Sequence, residues 1–220
     1  MKKINILVVS FFTLGICLFF APSSVYAYAP SYVENIAVES ATSSQLVITW
    51  DEPYVYEEDP VITSYDIEVA SNDNFSNASA ASTDGDARTA TVTGLNSNTT
   101  YYIRMRATNA DGVGDWDDIE NTTAPSKAKK VVKKKQSSAF RSVTMKWNAP
   151  LRCSASTCVY NYKVHKKKNK DLIESSYSYD NKVTISDLSI GKKYTITVQA
   201  CTSYYDQCSP WSSKKTFKLK

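Results

Sequence analysis

The stretch Tyr194-Thr195-Ile196-Thr197-Val198-Gln199-Ala200-Cys201 decides the fold. Tyr194, Ile196, Val198 and Ala200 alternate with Thr195, Thr197, Gln199 and Cys201. A period of two puts one set on the buried face of a β-strand and the other outside. Ninety-three residues earlier, Tyr101, Ile103, Met105 and Ala107 alternate with Tyr102, Arg104, Arg106 and Thr108. Other landmarks recur in the same order. Ile48-Thr49-Trp50 is echoed by Met145-Lys146-Trp147 at an offset of 97, Gly94-Leu95 by Asp187-Leu188 at 93, and Trp116 by Trp211 at 95. Landmarks repeated in order at nearly one offset mark a duplicated unit of roughly 95 residues. No segment after the first 27 residues holds a helical period. Short strands broken by Ser, Asn, Gly and Asp clusters make each unit an all-β sandwich.

In each unit a Leu is followed six positions later by a Tyr that opens the alternating strand, with a Trp about fifty residues upstream. This pattern resembles the fibronectin type III domain. Trp50, Leu95 and Tyr101 carry it in the first unit, and Trp147, Leu188 and Tyr194 in the second. Thr99 and Ala107-Thr108-Asn109 extend the first match, whereas the second unit has Ala200-Cys201 there. The resemblance implies two tandem immunoglobulin-like sandwiches, with Trp on strand B and a tyrosine corner at the E–F turn. It also implies that the B–C, D–E and F–G loops gather at one pole of each unit. The A–B, C–C′ and E–F loops gather at the other. Such a sandwich hosts adhesion, receptor, linker and accessory roles, so the fold alone names no ligand.

The expected boundaries are a leader over 1–27, a first domain over 28–125 and a second over 126–220. Lys2 and Lys3, the apolar run Ile4 to Phe20, and the compact residues ending in Val25-Tyr26-Ala27 have the order of a secretory signal, of bacterial type, cleaved after Ala27. An uncleaved membrane anchor is the alternative. Either way the chain is expected to be secreted, periplasmic or at the cell surface, with no transmembrane helix after the leader. Beyond the leader lie four cysteines, which in an exported chain read as two disulfides. Cys153 and Cys158 bracket the second B–C loop, and Cys201 and Cys208 the second F–G hairpin. Local pairing Cys153–Cys158 and Cys201–Cys208 is expected, with cross-loop pairing left open.

The net charge of +4 conceals a segregation. Residues 28–125 hold 17 acidic and three basic side chains, for −14, and residues 126–220 hold 21 basic and five acidic ones, for +16. In the first unit Asp51, Glu52, Glu57, Glu58 and Asp59 occupy the B–C loop, Asp84 and Asp86 the D–E turn, and Asp111 and Asp115 the F–G hairpin. In the second, Lys133, Lys134, Lys135 and Arg141 flank the A–B turn. Lys166, Lys167, Lys168 and Lys170 fill the C–C′ turn, and Lys192 and Lys193 the E–F turn. The expectation is a rod with an acidic tip and a basic tip. Single-sign fields of this kind steer encounters.

Three partners follow from that polarity. The basic end suits a protein or an anionic envelope polysaccharide or lipopolysaccharide, without sequence-specific binding of nucleic acid. Opposite poles of two copies suit head-to-tail self-association. The five B–C carboxylates are the weak candidates for calcium, although no EF-hand spacing is present. Tyr54 and Tyr56 on the first B–C loop, and Tyr204 and Tyr205 on the second F–G loop, are candidate contact aromatics. Trp116 and Trp211 are expected to cover the F–G sheet, with Arg104 and Arg106 stacked on Trp116. No cofactor site is read. One histidine, His165, six glycines, and no nucleophile elbow, phosphate loop or dinucleotide fingerprint argue against an enzyme.

Overall fold

The computed structural model describes residues 3–4, 25–26, 28–56, 59–204 and 207–220. Among them there is no helix. A short antiparallel pair joins β1 (Lys3–Ile4) to β2 (Val25–Tyr26). The rest of the expected leader and its cleavage site lie outside the described residues.

The first domain runs through β3 (Glu34–Ala41), β4 (Gln45–Asp51), β5 (Ser64–Ala70), β6 (Ser79–Asp84), β7 (Thr89–Thr93), β8 (Thr100–Asn109), β9 (Gly112–Val113) and β10 (Asp117–Thr122). One sheet has the order β3-β4-β7, the other β10-β8-β5-β6 with β9 paired to β8. The second domain repeats the plan with β11 (Lys129–Ser137), β12 (Ser142–Asn148), β13 (Cys158–Lys166), β14 (Leu172–Ser178), β15 (Lys182–Ile185), β16 (Lys193–Thr202) and β17 (Lys215–Lys218). Its sheets have the orders β11-β12-β15 and β14-β13-β16-β17, and all pairings are antiparallel.

The two-residue period fills both cores. Tyr101, Ile103, Met105 and Ala107 are buried on β8, and Tyr194, Ile196, Val198 and Ala200 on β16. Facing them, Trp50 meets Tyr65 edge-on with ring centroids 5.4 Å apart, and Trp147 meets Tyr160 at the same 5.4 Å. Edge-to-face rings of this kind add packing beyond their buried area. Cys201 departs from the alternation: it stands on the outward side of β16 yet is fully buried, bonded to Cys208 and in contact with Asn161 Nδ2 at 3.3 Å.

Each E–F turn is built the same way. Gly94 and Asp187 both have positive φ, 77° and 56°, a left-handed turn that costs Gly nothing and that Asp tolerates. The next residue donates its amide to the A–B turn: Leu95 to the Ser44 carbonyl and Leu188 to that of Arg141. The phenol oxygen of Tyr101 then accepts the Asn96 amide at 2.9 Å, and that of Tyr194 accepts the Ser189 amide at 2.8 Å. These are tyrosine corners.

Candidate functional site: the two poles and the basic seam

Because the strands alternate in direction, register determines which loops share a pole. In the second domain, β13 ends at Lys166, which pairs with Tyr194 near the start of β16, while Lys193 pairs with Lys218 on β17. The Lys167 amide donates to the Lys193 carbonyl at 2.9 Å. Lys133 Nζ reaches the Lys218 carbonyl at 3.2 Å and Gln136 at 2.8 Å. Lysines from four segments therefore meet at one end, and Lys133, Lys134, Lys135, Lys166, Lys167, Lys168, Lys170, Lys192 and Lys193 are all exposed. Among the described residues only Lys166 of these has a carboxylate within reach, Asp171 at 3.9 Å, with both side chains half exposed. Such a contact contributes little in water.

Lys133, Lys134 and Lys135 lie within β11 on the strand that leads into the A–B turn at residues 138–141. Register shifts between Lys129 and Val132, and again between Lys133 and Lys135, break the strand's alternation. Bulges of this kind let consecutive side chains face outward.

The first domain distributes its acids differently. Its three basic residues are each paired: Arg88 with Glu52, Arg104 with Glu68 at 2.6 Å, and Arg106 with Asp66 at 3.0 Å. Trp116 lies between Arg104 and Arg106, whose guanidinium carbons stand 4.5 and 4.4 Å from its ring, and Phe75 stacks on the other side of Arg104 at 4.3 Å. In the second domain the corresponding Trp211 carries Lys163 at 4.8 Å. Ser209 and Ser212, on either side of Trp211, accept the amides of Ala200 and Val198 at 3.1 and 3.0 Å. Those hydroxyls hold the F–G return against β16, a role that the serine-rich composition alone did not reveal.

Of the calcium candidates, Asp51 accepts the Asn35 side-chain amide at 2.8 Å, Glu52 pairs with Arg88, and Asp59 accepts the Tyr56 amide at 2.8 Å. Glu57 and Glu58 lie outside the described residues. Among the described residues no three His, Cys, Asp or Glu side chains converge as a metal requires. Asp84 ends β6 and Asp86 sits in the turn to β7, on the same side as the B–C loop: Gly85 packs so close to the Ile62 carbonyl that a Cβ would lie 1.9 Å from it. Tyr54 and Tyr56 are exposed and contact each other edge-on at 5.1 Å, while Tyr204 is exposed on the second F–G loop. Tyr205 lies outside the described residues.

Cys153 is bonded to Cys158 and Cys201 to Cys208. Burial raises the Tyr65 and Tyr160 phenols above their ordinary range. Burial and then the hydrogen bond to Glu174 Oε1, 2.5 Å away, push Tyr162 up to about 12.

Two stacked sheets per unit, a tyrosine corner in each and loops clustered at the poles define a tandem immunoglobulin-like sandwich, an architecture commonly used for adhesion or binding and typically non-catalytic. The chain belongs to the fibronectin type III family, whose model matches residues 29–123 and 132–218. In fold it is similar to a two-domain fibronectin type III segment of chicken tenascin, at 14% identity over 85% of this chain and 99% of that one, with a TM-score of 0.48. It is also similar to the FN1–FN3 domains of chicken CNTN1, at 18% identity over 87% of this chain and 67% of that one, with a TM-score of 0.40. No curated protein matches the chain. The family and the disulfides suggest an extracellular protein. No helix among the described residues is long and apolar enough to cross a membrane.

Proposed function

We propose that the chain is a non-catalytic extracellular or periplasmic binding module that docks on an anionic surface through its second domain. The observation that carries this reading is the register-driven convergence of lysines from β11, β13, β16 and β17 at one pole, almost without neighbouring carboxylates. An array of that kind attracts an anionic polymer or headgroup layer and gains from released counterions. It needs no cleft.

Retention of the full chain on immobilised lipopolysaccharide across a salt gradient tests the reading. Strong retention at low salt, lost at high salt, is expected. Combined Lys166→Glu, Lys168→Glu, Lys192→Glu and Lys193→Glu is expected to abolish it. Unchanged retention in that variant would remove the pole from the site.

End-to-end association is the second reading, favoured by the acidic Asp111, Asp115, Asp84 and Asp86 at the far pole of the first domain. It predicts a mass that grows as salt is lowered, since exposed charge contacts strengthen with the Debye length. A monomer at the lowest salt would dispose of it.

A further inference from the structure

A second basic feature of the second domain lies away from the pole. Strands β11 and β17 belong to different sheets but run side by side, as the Lys133 to Lys218 contact and the 2.7 Å bond from Ser138 Oγ to the Lys220 carbonyl show. Between their upstream halves is an open groove of about 390 Å³. Its walls are Lys127, Lys129 and Lys130 on one side and Lys214 and Lys215 on the other, with Ala128, Val131 and Ser212 buried beneath. All five lysines are exposed, and no ion pair joins any of them to a carboxylate among the described residues.

The backbone favours this arrangement in a specific way. The bulge between Lys129 and Val132 holds Lys130 at φ 52°, a left-handed conformation that a lysine seldom adopts. The first domain has the same bulge between Glu34 and Ala37, and there the left-handed position is Asn35, which tolerates it and bonds to Asp51. The bulge therefore belongs to the shared fold, whereas the lysine belongs to this domain. With the second bulge, β11 presents Lys129, Lys130, Lys133, Lys134 and Lys135 outward over seven residues, where a regular strand would turn half of them inward. Lys214, just before β17, and Lys215 and Lys218 within it add a second rail.

We infer that this seam is a binding track for a linear acidic polysaccharide, lying in the groove and continuing past Lys133 and Lys218 to the basic pole. The track is about 20 Å long from Lys129 to Lys135, at about 3.3 Å per residue, so it spans several sugar units of an extended chain. The chemistry distinguishes this occupant from single-stranded nucleic acid, which is held by aromatic rings that stack on bases. Among the described residues no aromatic side chain lines the groove, although an exposed ring, Phe140, stands in the A–B turn at the basic pole where the track ends. Ammonium groups on flexible stems suit carboxylates or sulfates spaced along a chain without demanding one planar geometry. The inference rests on the proposed docking through the second domain and specifies where the polymer runs.

The test uses the full chain with soluble heparin, alginate and oligo(dT), affinities being read by calorimetry over a range of salt. A seam variant, Lys127→Glu with Lys130→Glu and Lys214→Glu, is compared with the fourfold pole variant and with a milder Lys130→Gln, Lys214→Gln form. Circular dichroism checks that all remain folded. At least a tenfold loss of polysaccharide affinity in the seam variant is expected, with a smaller loss in the milder form. The salt dependence should also flatten by about one unit per lysine removed. Alginate carries carboxylates alone and heparin carries both groups, so binding of heparin without binding of alginate would assign sulfate as the required anion. Loss in the pole variant alone would overturn the seam while leaving docking intact. Absence of polysaccharide binding by the unaltered chain, with lipopolysaccharide still retained, would overturn the polysaccharide assignment alone. Failure of both would end both readings. Tighter binding of oligo(dT), lost in the seam variant, would replace the polysaccharide with nucleic acid.

Discussion

The two domains share a strand plan, a Trp–Tyr core pair and a tyrosine corner, yet they treat charge in opposite ways. In the first, every basic side chain is consumed internally: Arg88 by Glu52, Arg104 by Glu68 and Trp116, Arg106 by Asp66 and the same ring. In the second, the surplus lysines are left exposed, and among the described residues only Lys166 and Lys182 come within 4 Å of a carboxylate. The fold does not require either arrangement, because the equivalent bulges hold Asn35 in one domain and Lys130 in the other. The difference shows that the sandwich supplies geometry while the outward half of the alternation is free to specify a partner.

If the domains are independent bodies with equivalent cores, removing the same core residue should damage only its own unit. Trp50→Ala and Trp147→Ala are each expected to cost about 3–5 kcal/mol, the usual loss for a large aromatic left as a cavity. Two-step thermal unfolding would show this, with the altered domain melting early and the other unmoved. A single merged transition in both variants would break the comparison.

Reductant sharpens it, because residues 28–125 contain no cysteine. Opening Cys153–Cys158 and Cys201–Cys208 should lower the second transition by about 2 kcal/mol for each short loop. The first transition should be unchanged in calorimetry with and without thiol. A smaller effect, about 1 kcal/mol, is expected in either domain when Tyr101→Phe or Tyr194→Phe leaves the Asn96 or Ser189 amide without its acceptor. Unequal losses would show that the two corners, alike in geometry, are not alike in strength.

The core was legible because buried faces obey a simple period. Trp50, Tyr101, Trp147 and Tyr194 could be placed from alternation and from the resemblance to fibronectin type III domains. The local disulfide loops could be proposed from the brackets the cysteines make. The seam was not legible. Lys133 to Lys135 could be placed beside the A–B turn, but alternation alone does not face consecutive lysines at 129–130 and 133–135 all outward, since a regular strand would turn half of them inward. Only the two bulges make that possible, and a bulge leaves no compositional mark when a lysine takes the left-handed position. The acidic B–C loop shows the same limit of sequence. Asp51, Glu52 and Asp59 are near one another in sequence, but each is committed to a different neighbour. Spacing does not show which carboxylates are already engaged.

The subtlest asymmetry is a single phenol. Tyr65 and Tyr160 occupy matching core positions and burial raises both, so they act in the same direction in the two domains. Two residues on, the first domain has Ile67 and the second has Tyr162, held neutral up to about 12 by burial and by Glu174. An unfolded tyrosine ionises near its ordinary value of about 10. Its protonated form is therefore favoured by folding, and the stability this contributes is complete below pH 10 and is lost as pH rises through the folded value. Between pH 10 and 12 the second transition should fall faster than the first. The control is Tyr162→Phe, which keeps every other side chain and removes the phenol. If the steeper alkaline decline of the second domain persists in that variant, Tyr162 is not its source.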